Sequence, residues 1–290
     1  SQFGPEVSDQ LALIFKDLDG VKKKTTSLDG GLSNLPRTAT WINGPGNLLV
    51  NKHPWDSVKA EFSFVDDIET LRSQVSGKGN LERFDYWLNQ FKYLRAFGKI
   101  ACTAGEFNKE AEKLTLLTED QKKELVNNKL LPLVKKEGEE LRDVHFYLIS
   151  SITTWGGLGN VANWQQHIIP FQIHSHADQI KQYTADTAWI KDLYSADLKE
   201  LSRIIVPQPQ HIIETGKDYT VRVIFFNMIP DDPRIYWRPI GSGKYESSGL
   251  KKLSQTYWEA TIPSEKITDD FEYYIQGDKN GDFIFPVTAP

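Results

Sequence analysis

The chain has one cysteine and one methionine among 290 residues, and no long uninterrupted apolar run. The lone thiol, Cys102, cannot form an internal disulfide, and its place in a helical pattern predicts a buried, inert side chain. No segment approaches the roughly 20 apolar residues that a spanning helix needs, which predicts no membrane span. Residues Ser1 to Pro5 lack the charged and then apolar pattern of a signal peptide.

An excess of positive charge is also missing. The formal net charge is −5 and the isoelectric point is about 5.7, which argues against nucleic acid as a partner. With 39% hydrophobic and 25% charged residues, the composition is that of an ordinary globular protein. The length suits one large domain or two ordinary ones.

Motifs that would identify a catalytic or metal centre are absent. Neither Gly-x-Ser-x-Gly nor His-Glu-x-x-His occurs, and the glycines of Gly156–Gly159 lack the Lys and Ser/Thr of a phosphate-binding loop. His174 and His176 are two residues apart, which does not suit zinc binding on a helix, so we expect hydrogen-bonded polar roles. The sequence therefore predicts no metal and no cofactor, and it identifies no catalytic residue.

The first two thirds of the chain predict an irregular arm over residues 1–55 and an α-helical bundle over residues 56–205. The arm contains one short helix, Val7 to Leu18. A strong 3.6-residue period begins at Asn80, and Thr118 to Gln121 matches a capping box. Pro132 suits the first turn of a further helix. We expect two long antiparallel helices, a sharp connection at Gly156–Gly159, and then three short helices: Asn160–Ile169 (ended by Pro170), Ser175–Thr184 and Ser195–Ser202.

Beyond the boundary at Pro207 and Pro209 the period changes to two, which is typical of strands. Residues 206–290 therefore predict an antiparallel β-sandwich of the immunoglobulin or fibronectin-III type, so the fold class is α+β and multidomain. Asn280-Gly281 is a strong hairpin signal. The predicted strands are 211–214, 219–225, 234–240, 244–246, 256–262, 271–276 and 282–286.

Tryptophans set among Gly, Asn and His are the main functional signal. An indole ring covers the apolar C–H faces of a sugar, and amides or imidazoles hydrogen-bond to its hydroxyl groups. Each Trp could equally fill a core. The predicted carbohydrate-binding residues are Trp41, Asn43, Trp55, Trp155, Asn160, Asn163, Trp164 and His167.

Large aromatic residues also occur at successive positions of two predicted strands, Tyr236-Trp237 and Tyr257-Trp258. Because strand side chains alternate, one residue of each pair must point outward. Outward rings suit either a sugar-stacking platform or an interface between domains, and the interface is favoured.

Several phrases together resemble the C-terminal region of large exported bacterial polysaccharide-degrading glycoside hydrolases of the agarase type. These phrases are Leu35–Gly46, Asn80–Leu88, Gly156–His167, Tyr236–Gly241, Phe271–Tyr274 and Phe285–Pro290. In such enzymes a helical region and a terminal β-sandwich follow a catalytic barrel. The resemblance implies export to the periplasm, cell surface or medium, an accessory role, and an upstream catalytic domain as a partner. It carries over no catalytic residue.

Three functions remain open on the sequence. The first is non-catalytic binding of a polysaccharide or oligosaccharide by an accessory region. The second is a glycoside hydrolase or lyase whose site lies between the arm and the bundle, with two carboxylates, or a Tyr/His pair, near Trp55 or Trp164. The third is a structural spacer that docks on a catalytic domain, with every Trp buried.

Overall fold

The computed structural model describes residues 2–20, 35–40, 47–193, 198–207, 211–241 and 243–290. The chain divides into two compact units. Unit 1 comprises residues 1–151 and 159–197, and unit 2 comprises residues 152–158 and 198–290. Unit 1 therefore includes both the predicted arm and most of the predicted bundle, and a short piece of the helical region belongs with the C-terminal strands.

Unit 1 is helical, as predicted. The first half of its longest helix buries one face through Phe84, Leu88 and Phe91, as the 3.6-residue period indicates, whereas residues 96–105 are buried nearly all round. Two short strands, β1 (Ala39–Thr40) and β2 (Asn47–Leu48), pair antiparallel. The helices are α1 (Ser8–Leu18), α2 (Trp55–Val58), α3 (Ser63–Leu71), α4 (Lys78–Ala111), α5 (Glu119–Leu125), α6 (Leu131–Ser150), α7 (Trp155–Asn163), α8 (His174–Ile180) and α9 (Trp189–Leu193), and residues 155–158 of α7 are assigned to unit 2.

Local signals in the sequence place several of these helices correctly. The capping box at Thr118 forms, with the backbone N–H of Thr118 donating to Gln121 Oε1 at 3.0 Å. Pro132 lies in the first turn of α6, but a π-helical segment, Val126–Leu130, joins α5 to α6 without a break, so the proline does not mark a free helix start. The long helices α4 and α6 pack against each other and form the centre of the unit.

Two expectations about the later helices are wrong. Pro170 does not end a helix, because a π-helical segment, Trp164–Ile173, carries the chain past it into α8. The glycines of Gly156–Gly159 lie inside α7 and not in a connection. The bend precedes them, because Thr154 Oγ1 accepts the N–H of Gly157 at 3.1 Å and so caps the start of α7. The predicted helix Ser195–Ser202 falls partly outside the described residues, and residues 198–202 are not helical.

Unit 2 contains two antiparallel sheets of four strands each. One sheet has the order β3-β4-β8-β7 and the other the order β10-β9-β5-β6. The strands are β3 (Arg203–Ile205), β4 (Tyr219–Phe226), β5 (Arg234–Pro239), β6 (Glu246–Gly249), β7 (Lys251–Lys252), β8 (Tyr257–Ile262), β9 (Phe271–Gln276) and β10 (Ile284–Phe285). One buried cluster draws on both sheets, including Val223 and Phe225 from β4 and Ile235 and Trp237 from β5.

The expected alternation of aromatic residues is confirmed in this unit. Trp237 is buried and the neighbouring Tyr236 is partly exposed on the opposite face of β5. Tyr257 and Trp258 divide in the same way, with Trp258 packed on the core. The predicted strand at 211–214 does not form, and the 244–246 signal belongs to β6. No helix among the described residues has the length and apolar character needed to cross a bilayer.

Candidate functional site

A groove on unit 1 is the strongest candidate site. It has a cavity volume of about 560 Å³, within the range of roughly 300–1,000 Å³ that is usual for small-ligand sites. Three parts of the helical unit form it: the chain from α2 to α3, one face of α4, and one face of α6. The lining residues are Trp55, Lys59, Ala60, Ser63, Asp66, Lys92, Arg95, Ala96, Lys99, Asp143 and Tyr147.

The α4 wall follows from helical spacing. Lys92, Arg95, Ala96 and Lys99 are three, four and seven residues apart, so they share one face of the helix. Ala96 is buried and small, and its short side chain leaves space between the long cationic ones. This face of α4, called the floor of the groove below, therefore carries three cationic side chains around one small apolar residue.

Aromatic rings stand on the other two walls. Asp143 and Tyr147 are four residues apart on α6 and line the groove together. Trp55 begins α2, and its ring packs at 5.4 Å from the Phe62 ring, which fixes the indole while leaving it partly exposed. Lys92 Nζ lies 5.7 Å from the centroid of the Tyr147 ring. Two rings from two different helices therefore line the groove together with the charged side chains of α4.

The path of the chain into Trp55 depends on Gly105 of α4. A Cβ at Gly105 would lie 1.8 Å from the carbonyl oxygen of Asn51. The N–H of Asn51 also donates to the carbonyl of Ala101 at 3.0 Å. The segment before Trp55 thus lies directly on the α4 backbone, and only glycine permits that approach.

Most charges in the groove are paired. Arg95 Nη1 lies 2.5 Å from Asp66 Oδ1, Lys92 pairs with Glu69, and Lys59 Nζ lies 2.8 Å from Asp56 Oδ1. These carboxylates are well exposed, so the pairs contribute little to stability. Of these pairs, Arg95–Asp66 has both members in the groove lining, so it places a donor beside an acceptor on the groove surface.

A buried carboxylate lies behind the cationic floor. Glu140 is 3% exposed, and its Oε1 is 3.9 Å from the ammonium groups of both Lys99 and Lys136. Burial raises the pKa of Glu140, and the two lysines oppose that rise. Lys99 therefore joins the groove surface to this inner carboxylate.

Elsewhere in unit 1, His176 has the hydrogen-bonded role expected for it. Its Nδ1 lies 2.9 Å from Glu137 Oε1, and its ring stacks on Phe107 at 4.1 Å. Burial raises the pKa of Glu137. Among the described residues, no three His, Cys, Asp or Glu side chains are placed to hold a metal ion.

The predicted site residues do not form one site. Trp55 lies in the groove. Trp164 does not serve as a stacking residue: it is 1% exposed, lies 4.8 Å from the Phe97 ring, and donates its indole N–H to Tyr93 Oη at 2.9 Å. A stacking ring must present a face to solvent, so the expectation for Trp164 is corrected to a core role. Burial raises the pKa of Tyr93 to about 12.

The remaining predicted residues have separate settings. Trp155 belongs to unit 2, is 44% exposed, and lies edge-on to Tyr257 at 6.4 Å. Asn160 is exposed, and Asn163 and His167 are partly buried on unit 1, outside the groove lining. Trp41 and Asn43 lie outside the described residues.

Several groove residues were missed by the sequence reasoning, above all Tyr147 and the three cations of α4. The spacing of Lys92, Arg95 and Lys99 on one helical face was a readable signal. Their meeting with Trp55 and Tyr147 depends on the packing of three helical segments, which no local pattern encodes.

Comparison with known proteins adds no assignment. No family model matches the chain, and no curated protein and no solved structure is significantly similar to it.

Proposed function

We propose that this chain is a non-catalytic carbohydrate-binding region and that the groove of unit 1 is its binding site. The observation that carries the proposal is the pairing of two aromatic rings, Trp55 and Tyr147, with ion pairs on the same groove surface. Rings cover the C–H faces of a pyranose. An ion pair such as Arg95–Asp66 offers one donor and one acceptor, and a sugar hydroxyl can engage both.

The size of the groove also supports this function. A volume of about 560 Å³ accommodates a short stretch of oligosaccharide and not a protein surface. The spacer hypothesis has less support, because it required every Trp to be buried, whereas Trp87 and Trp155 are 42% and 44% exposed.

The wider context rests on the resemblance of the sequence phrases alone. In this proposal the chain is an exported accessory region of a polysaccharide-degrading enzyme of the agarase type, and it acts beside a catalytic domain. The two four-stranded antiparallel sheets of unit 2 support an immunoglobulin- or fibronectin-III-like sandwich as the finer fold.

Isothermal titration against agarose oligosaccharides and a panel of plant and algal polysaccharides tests the proposal. We expect Trp55→Ala and Tyr147→Ala each to weaken binding by about tenfold, since a ring contact contributes on the order of 1 kcal/mol. The control is Trp87→Ala, which removes a more exposed indole outside the groove. Unchanged affinity in both groove variants, or no heat with any glycan, would refute this site.

A glycoside hydrolase is the second candidate, and one observation favours it. Asp66 and Asp143 line the same groove as Trp55, as a two-carboxylate mechanism requires. Release of reducing ends from a bound glycan, lost in Asp143→Asn with binding retained, would establish the enzyme. Binding without any release supports the accessory role.

A further inference from the structure

A cluster of tyrosines on unit 2 has no role in the groove. It lies on the outer face of the β10-β9-β5-β6 sheet, opposite the core face that holds Ile235, Trp237 and Ile275. The tyrosine cluster consists of Tyr236 on β5, Tyr274 on β9, and Tyr245 just before β6. The solvated face of an antiparallel sheet is ordinarily polar, so three partly exposed rings require an explanation.

The rings hold one another in place. Tyr236 and Tyr274 face each other across neighbouring strands, with centroids 4.7 Å apart and planes inclined by 6°. Tyr245 meets Tyr274 edge-on at 5.0 Å. Stacked and edge-on contacts of this kind are favourable, and they fix ring orientation before any ligand arrives.

An ion pair completes the cluster. Arg238 Nε donates to Glu272 Oε1 at 2.6 Å, and the Tyr245 hydroxyl donates to the same oxygen at 3.2 Å. The guanidinium carbon of Arg238 lies 4.3 Å from the Tyr245 ring centroid. The hydrogen bond from Arg238 lowers the pKa of Glu272, so the carboxylate stays ionised as an acceptor. Charge is balanced within the cluster, which suits an uncharged, hydroxyl-rich ligand better than an acidic or basic protein surface.

Tyr236 is the partly exposed ring next to the edge of the sheet. Tyr274 stacks on one side of it, and the cross-strand neighbour on the other side is Ser247 of the edge strand β6. Ser247 Oγ accepts a hydrogen bond from Arg234 Nη2 at 3.1 Å, so a short side chain and a guanidinium border that side of the ring. A sugar stacked there would meet the phenol ring together with donors for its hydroxyl groups.

We propose that the tyrosine cluster is a second carbohydrate-binding site, specific for uncharged polysaccharides, with Tyr236 as the stacking ring and Arg238 and Glu272 as hydroxyl contacts. It takes the ligand class from the proposed function, but it occupies a different unit and shares no residue with the groove. Each site is thus testable while the other is silenced.

The test uses the full chain carrying Trp55→Ala and Tyr147→Ala, with affinity electrophoresis in gels containing agarose, galactan, xyloglucan or mixed-linkage glucan. We expect this groove-silenced protein still to be retarded by at least one polymer. Adding Tyr236→Ala should weaken that binding about tenfold, whereas Tyr236→Phe should retain it, because the ring remains. Thr220→Ala, an exposed change on the other sheet, is the matched control.

A chemical readout on unmutated protein guards against misfolded variants. The bound polymer should protect Tyr236 from nitration by tetranitromethane, as located by mass spectrometry, while Tyr86 of unit 1 continues to react.

Loss of all binding in the groove-silenced chain, or nitration of Tyr236 unchanged by the polymer, overturns the second site and leaves the groove intact. Loss of binding by Tyr236→Ala alone, with groove variants unaffected, supports the second site and overturns the groove. A wild-type chain that binds none of the polymers overturns both.

Discussion

Alanine at Gly105 should destabilise unit 1, although alanine is normally the better helix former. In the middle of α4 the substitution gains about 1 kcal/mol of helix propensity. Its Cβ, however, would lie 1.8 Å from the carbonyl oxygen and 2.7 Å from the carbonyl carbon of Asn51. The obstacle is backbone, so the segment must move by more than an ångström.

The magnitude follows from two costs. Overpacking of this kind costs up to about 3 kcal/mol. Displacing the segment also weakens the 3.0 Å hydrogen bond from Asn51 N–H to the Ala101 carbonyl, a further loss of about 1 kcal/mol. After the helix gain is subtracted, we expect Gly105→Ala to cost about 3 kcal/mol, which lowers the melting temperature of a unit of this size by roughly 6–12 °C.

Gly159→Ala is the matched control. Gly159 is also a helical glycine, but no atom lies within 4 Å of the Cβ that alanine would add. The same substitution should there raise stability by up to about 1 kcal/mol. Differential scanning calorimetry compares the melting temperatures of the two variants. Glycan titration of Gly105→Ala should also show weaker binding, because Trp55 follows the displaced segment. Equal stabilisation by both substitutions would show that the chain does not lie on α4 at this point.

Three further predictions concern buried polar and aromatic groups of unit 1. Trp164→Ala should lower the free energy of unfolding, measured by urea titration, by about 4 kcal/mol, because it empties a buried site. Tyr93→Phe should lower it by about 1 kcal/mol, because the buried indole N–H of Trp164 loses its acceptor. A stable Trp164→Ala protein that has lost only glycan binding would contradict the core role. Glu140→Gln should be more stable than the wild type at alkaline pH, because only the wild type must ionise a buried carboxyl. The difference in the free energy of unfolding between the two proteins should shrink as pH falls through the raised pKa of Glu140. A difference independent of pH would show that this carboxyl does not titrate as described. Burial lowers the pKa of His145, so its contribution to stability is present above the unfolded value of 6.5 and is lost as pH falls below that value. Urea titrations across this pH range should show that His145→Gln loses less unfolding free energy on acidification than the wild type. An identical loss in both proteins would contradict the prediction.

The elements with strong local signals were predictable from the sequence. Helix α4 begins two residues before the predicted Asn80, and strand β9 matches its prediction, Phe271–Gln276, residue for residue. In these segments the spacing of apolar residues and the residues at the element boundaries indicate the same structure that tertiary packing favours. The Thr118 capping box succeeded for the same reason.

Other features depend on contacts that a single sequence does not display. Pro170 ordinarily ends a helix, but the wider turns of a π-helical segment accommodate it here. Glu140, in the adjacent pair Glu139-Glu140, carries no local sign of burial, yet the packing of α6 buries it beside Lys99. Trp164, next to polar Gln165 and Gln166, gave no local sign that its ring fills the core.

The candidate site was predicted only in part for the same reason. Residue type drew attention to Trp55, which lines the groove, but the other lining residues are separated from it by up to about ninety positions along the chain. Tyr147 and Arg95 come together with it only because three helical segments pack side by side. An indole is equally suited to a core and to a sugar, so exposure decides between the two uses.

The single thiol of the chain has a practical consequence for spectroscopy. Cys102 is buried as predicted, and burial raises its pKa to about 11, so it reacts poorly with maleimides at neutral pH. A cysteine introduced at the rim of the groove or beside Tyr236 would therefore accept a fluorophore or nitroxide with almost no background labelling. Occupancy of each proposed site could then be followed separately in the otherwise native chain.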